Sequence, residues 1–74
     1  MNNPMKGIYD RETNTLTLIF RDEKIEESDE VRPGIIFDYD ADGALVSVEI
    51  LDASRNVSEP LTFAYEIKEP AIAG

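Results

Sequence analysis

Apolar and polar residues alternate along most of this chain with the two-residue period of a pleated strand, and a helical period is almost absent. The pattern is strongest from Thr15 to Arg21, where Leu16, Leu18 and Phe20 share one side and Thr15, Thr17, Ile19 and Arg21 the other. β-Branched and aromatic residues dominate that stretch, as a strand requires. Met5 to Asp10 reads as a strand before it, with the polar run Arg11-Glu12-Thr13-Asn14 as the turn between them. The best-defined unit is a hairpin from Ile35 to Leu51. Ile35, Phe37 and Tyr39 lie on one face, and Val46, Val48 and Ile50 continue that face after the turn. A two-residue Asp42-Gly43 turn pairs Tyr39 with Val46, Phe37 with Val48 and Ile35 with Ile50. A four-residue loop, Asp40 to Gly43, keeps the same faces. An odd loop would turn one strand over unless a bulge compensated.

Other segments are less regular. Lys24 to Val31 has only Ile25 and Val31 as apolar positions, and it fits either a charged edge strand or a solvated loop. Pro33-Gly34 ends it, because proline has no ladder N–H and glycine accepts a turn. Asp52 to Val57 fits a short helical turn or a loop, and Pro60 stops any long helix there. Leu61, Phe63, Tyr65 and Ile67 then alternate with Thr62, Ala64, Glu66 and Lys68, which predicts a last strand closed by Pro70. The expected fold is mainly β: a small antiparallel β-meander of four to five strands with one short helical segment. It forms a single domain, 1–74, with flexible tails at 1–4 and 71–74.

Composition removes several function classes. The chain has no cysteine and no histidine, which excludes Cys/His zinc sites, Ser-His triads and Cys-His dyads. Sixteen acidic against seven basic residues give a net charge of −9. Asp22, Glu23, Glu26, Glu27, Asp29 and Glu30 concentrate part of it in one span. Such a field repels phosphate backbones and anionic membrane surfaces, so no nucleic acid and no membrane is expected as a partner, whereas a basic protein is compatible. No apolar run approaches the ~20 residues of a membrane span, and no signal peptide follows the first residues. A cytoplasmic location is the expectation.

Candidate chemistry centres on Asp38-Tyr39-Asp40-Ala41-Asp42-Gly43, which with Glu49 satisfies the EF-hand loop pattern. EF-hands need flanking helices, whereas these flanks alternate like strands. In an extended strand Glu49 would sit roughly 20 Å beyond Gly43 at ~3.3 Å per residue, out of reach of a shared ion. Asp38, Asp40 and Asp42 remain candidates for a weak cation site, and a hairpin turn with Asx bonding is the preferred reading. Glu49 is expected to be a sheet residue paired with a lysine or arginine. The serines have no histidine to activate them and no nucleophile elbow, and the glycines are too far apart for a phosphate loop. No cofactor and no catalytic residue is expected.

Two segments suggest a family. Tyr9-Asp10-Arg11-Glu12-Thr13-Asn14-Thr15-Leu16 resembles the opening of the DUF2283 family, a small prokaryotic domain of unknown function. Phe37-Asp38-Tyr39-Asp40-Ala41-Asp42-Gly43 followed by Val48-Glu49-Ile50-Leu51-Asp52-Ala53-Ser54 resembles its second signature. The similarity runs from about Lys6 to Ser54. Ser47 departs from it where many members carry glycine, and the chain from Arg55 onward matches no pattern. The resemblance implies no catalytic or binding residues. It implies an antitoxin-like role beside a basic protein. Independently, a small sheet apolar on one face is unlikely to stand alone, so a homodimer burying Ile35, Phe37, Val48 and Ile50, or an exposed edge, is expected.

Overall fold

The computed structural model describes residues 5–70; the tails expected at 1–4 and 71–74 lie outside them. Five antiparallel strands form one open sheet, β1 (Lys6–Asp10), β2 (Thr15–Ile19), β3 (Glu27–Arg32), β4 (Ile35–Tyr39) and β5 (Leu45–Ile50), followed by one short helix, α1 (Ala53–Asn56). The spatial order is β1-β2-β5-β4-β3. β3, β4 and β5 are joined by tight turns, and the chain crosses from β2 to the far edge before that run begins. The undecided segment 24–31 therefore contains an edge strand. Its charges suit that position, where acidic side chains discourage further pairing.

Register sorts the side chains into rows across the sheet. Tyr9, Leu16, Ile50 and Ile35 form one row, and Gly7, Leu18, Val48 and Phe37 form the next on the same face. The Ile35–Ile50 and Phe37–Val48 pairs are those the alternation predicts. The pair nearest the turn differs: Tyr39 opposes Leu45, not Val46. Gly43 N–H donates to the Asp40 carbonyl at 3.0 Å, and Asp40 N–H donates to the Ala44 carbonyl at 2.9 Å. These bonds close a three-residue loop, Ala41 to Gly43, with Gly43 at φ 82. This is a type I turn followed by a left-handed residue, neither the two- nor the four-residue loop expected. Its odd length is corrected within β5, where the register shifts between Asp38 and Tyr39 and Val46 becomes the extra residue. The Val46 carbonyl then turns to β2 and accepts from Phe20 N–H at 2.8 Å and Arg21 N–H at 3.3 Å.

The Pro33-Gly34 turn joins β3 to β4 with Gly34 at φ 81 and Arg32 opposite Ile35. A second bulge lies beside it, between Glu30 and Arg32. Leu51 N–H donates to the Gly34 carbonyl at 2.8 Å, which holds that turn against the end of β5.

Among the described residues the only buried apolar side chains are Val46 and Ala53. Leu16, Leu18, Ile35, Phe37, Val48 and Ile50 are each half-buried. A single sheet has no second layer to enclose its apolar face, so burial stops at what neighbouring strands provide. The surface is 6270 Å², against roughly 4,600 Å² for a compact monomer of this mass. The radius of gyration is 14.8 Å, against about 11 Å for a compact domain of this length.

The strand expected at Leu61 to Ile67 is not formed. Residues 62–70 have no regular structure, and 61–70 are exposed throughout. Pro60, Leu61 and Phe63 lie over Gly7, Tyr9, Arg11 and Leu16 and leave an open groove between segment and sheet. Alternation makes a segment fit for a ladder, but the ladder also needs a free neighbouring edge. This segment comes to rest over the face of β1 and β2, not beside the edge of β1.

Candidate functional site

The sequence motif Asp38-x-Asp40-x-Asp42 is divided between three environments. Asp38, on β4, is 1% exposed, and the register places Ser28 of β3 and Ser47 of β5 directly opposite it on either side. Ser28 Oγ donates to Asp38 Oδ1 at 2.6 Å, and Ser47 Oγ donates to Asp38 Oδ2 at 2.7 Å. Glu49 lies diagonally across the same face, opposite Ile36, and hydrogen-bonds the Asp38 carboxyl. Its partner is thus a carboxylate and not the lysine or arginine expected, because no basic residue shares that stretch of β4 or β2.

The two carboxyls titrate apart. Burial pushes Asp38 up, but hydrogen bonds from Ser28, Ser47 and Glu49 together outweigh it and hold Asp38 below its ordinary value. Glu49 is raised, first by its hydrogen bond to Asp38, then by burial and by repulsion from the Asp38 charge. Asp38 thus accepts from Ser28 and Ser47 and shares a third hydrogen bond with Glu49. This cluster cross-links β3, β4 and β5. Asp38 is closed to solvent, and Glu49 is half-buried.

Asp40 shapes the turn. Its Oδ1 accepts from Asp42 N–H and Ala44 N–H, both at 2.9 Å, and its Oδ2 meets Arg21 Nη1 at 3.0 Å. The Ala44 amide is the main cause of its lowered pKa, with smaller help from the Asp42 amide and Arg21 against the cost of burial. Asp42 is exposed on the turn. The three aspartates do not converge, and among the described residues no group of three or more acidic side chains could hold a metal ion.

A second polar centre joins the β1–β2 turn to α1. Asn14 has a left-handed backbone at φ 57, and Asp52, before the helix, has one at φ 53. Tyr9 Oη donates to Asn14 Oδ1 at 2.6 Å, and Asn14 Nδ2 donates to Ser54 Oγ at 2.9 Å and Asp52 Oδ1 at 3.3 Å. The Asn14 carbonyl accepts from Ala53 N–H at 2.8 Å, and its Oδ1 accepts from Ser54 N–H at 3.2 Å. Asn14 and Asp52 stand in the two signature segments but were not singled out, since only the fold brings their ends together.

The comparison with protein families is decided by one match. Residues 6–54 fit the family model described as Protein of unknown function (DUF2283). The chain belongs to the DUF2283 family. No curated protein and no solved structure matches it. The DUF2283 span takes in all five strands and the start of α1, and it leaves the extended segment outside. Both polar centres lie inside it. Ser47, the position at which this chain departs from many members, supplies one of the two hydroxyls that bind Asp38. Asp38 and Asp40 thus have structural duties within the DUF2283 sheet: one locks its strands and the other closes its hairpin. Outside these duties stand the open apolar face and the acidic edge. No helix among the described residues is long and apolar enough to cross a membrane.

Proposed function

We propose that this DUF2283 domain is a non-enzymatic protein-interaction module that works by covering its apolar sheet face with another polypeptide. The observation that supports this reading is the single layer: apart from Val46 and Ala53, every apolar side chain among the described residues remains at least partly open to solvent. A sheet face built from Leu18, Val48 and Phe37 in one row, and Leu16, Ile50 and Ile35 in the next, has the composition of one half of a core. The first occupant is a second copy of the chain, as a homodimer. Light scattering of the purified chain is expected to give twice the chain mass, and a mass of one chain at micromolar concentration overturns self-association. Phe37→Asp is expected to give an unfolded chain with no β signal in circular dichroism, and a folded, soluble monomer would count against the face.

A second reading, an acidic partner that neutralises a basic protein, draws support from β3. Glu27, Asp29 and Glu30 are exposed along this edge strand, with Glu26 just before it. Opposite charge on a partner would steer association at rates that fall with salt. Co-purification from the native host that returns no basic protein counts against it.

A further inference from the structure

We propose that Leu61 to Ile67 is an exchanged strand: in a dimer, each copy lays this segment along the outer edge of β1 of the other copy. The inference rests on the self-association reading above and names the element that performs it. The segment has the alternation of a strand, with Leu61 60%, Phe63 58%, Tyr65 81% and Ile67 72% exposed. An exposed apolar series of this length marks a contact surface. Its backbone is also unspent. Apart from Leu61 N–H to Glu59 Oε1 at 3.2 Å and Thr62 N–H to the Glu59 carbonyl at 3.4 Å, no hydrogen bond is recorded for it among the described residues. An extended segment with free amides adds to an open sheet edge through main-chain hydrogen bonds.

The sheet offers two such edges, and they differ. β3 is guarded by Glu27, Asp29 and Glu30 and is bulged between Glu30 and Arg32, both of which obstruct pairing. β1 pairs with β2 in unbroken register from Lys6 to Asp10, and it has Ile8 45% exposed with Met5 60% exposed beside it. Around β1 the charges balance, with Lys6 and Arg11 against Asp10 and Glu12, whereas β3 is predominantly acidic, so a segment carrying Glu59, Glu66 and Glu69 against Lys68 meets less repulsion at β1.

The occupant is a second copy for two reasons. Pro60, Leu61 and Phe63 lie over the face of their own β1 and β2, so the segment is not seated beside its own edge. Seven extended residues reach roughly 23 Å at ~3.3 Å each, enough to span a strand of a neighbouring molecule. A sixth strand on the chain's own sheet would leave the copies separate, whereas reciprocal exchange joins two of them. The surface excess is roughly 1,700 Å² over a compact monomer, and a stable interface needs about 800 Å² per partner.

The test uses the full chain and two variants, Ala64→Pro, which removes a ladder N–H, and Tyr65→Ser, which changes a side chain largely in solvent. Each is measured by light scattering over a dilution series, by circular dichroism and by amide hydrogen exchange. The expected result is a dimeric parent with protected amides from Phe63 to Ile67, and folded variants that dissociate at least tenfold more readily. A dimeric parent whose variants remain equally dimeric overturns the exchanged strand and leaves self-association standing. A monomeric parent overturns both, and protected segment amides in that monomer would place the strand on its own sheet.

Discussion

Asp38 and Glu49 set the behaviour of the molecule at the scale of single residues. Glu49 has a raised pKa in the folded chain, so its contribution is full below its unfolded value and is lost as pH rises through the folded one. Asp38 is lowered, so its contribution is present above its unfolded value and is lost as pH falls through the folded one. Both contributions are full only in the ordinary carboxylate range, and stability declines above it as Glu49 ionises beside Asp38. Glu49→Gln retains a donor for Asp38 and cannot ionise. It is expected to flatten the decline and to gain about 1 kcal/mol at pH 8, the size of one net hydrogen bond, in urea titrations at pH 5 and pH 8. An unchanged pH profile in the variant would remove the shared proton from the account.

At the scale of elements, Asn14 ties the first hairpin to the helix by bonds spanning up to forty positions. Asn14→Ala loses these bonds and leaves the left-handed backbone without the short polar side chain that lets asparagine tolerate it. The expected cost is roughly 3–5 kcal/mol, from ~1 kcal/mol of backbone strain and ~0.5–1 kcal/mol for each side-chain hydrogen bond lost. Asn14→Gly relieves the strain and should cost about 1 kcal/mol less; equal losses in the two variants would place the effect in the bonds alone. These ties show where the sequence stops being informative. The strands at Thr15, Ile35 and Leu45 are legible because alternation is a property of neighbours in the chain, and so are the Phe37–Val48 and Ile35–Ile50 pairs. Ser28 gave no sign of its role, since its hydroxyl gains meaning only once β3 is registered against β4. The Val46 bulge was foreseen only as what an odd loop would demand. The segment from Leu61 to Ile67 shows the limit most directly: its pattern is that of a strand, and the edge it needs does not lie beside it in its own sheet. For the acidic motif, the position of the turn was legible, and its three-residue length and the separate duties of Asp38 and Asp40 were not.

At the scale of the whole molecule, the proposed covering of the half-open sheet would make folding and association one equilibrium. If the apolar face is covered by a second copy, stability depends on concentration by mass action. The thermal midpoint should then rise by ~4 °C for each tenfold increase in protein, from the unfolding entropy of two such chains. A midpoint independent of concentration between 1 and 100 μM would show a chain that folds alone. The charge pattern bears on how far association can proceed. Glu27, Asp29 and Glu30 line one rim of the sheet, and the opposite rim has no comparable acidic row. An object sealed along one border and receptive along the other can be joined once and then has nothing more to offer. With both borders receptive, copies would append to one another as a ribbon without end. In the proposed dimer, three carboxylates on an outermost strand would thus turn open-ended growth into a finite count.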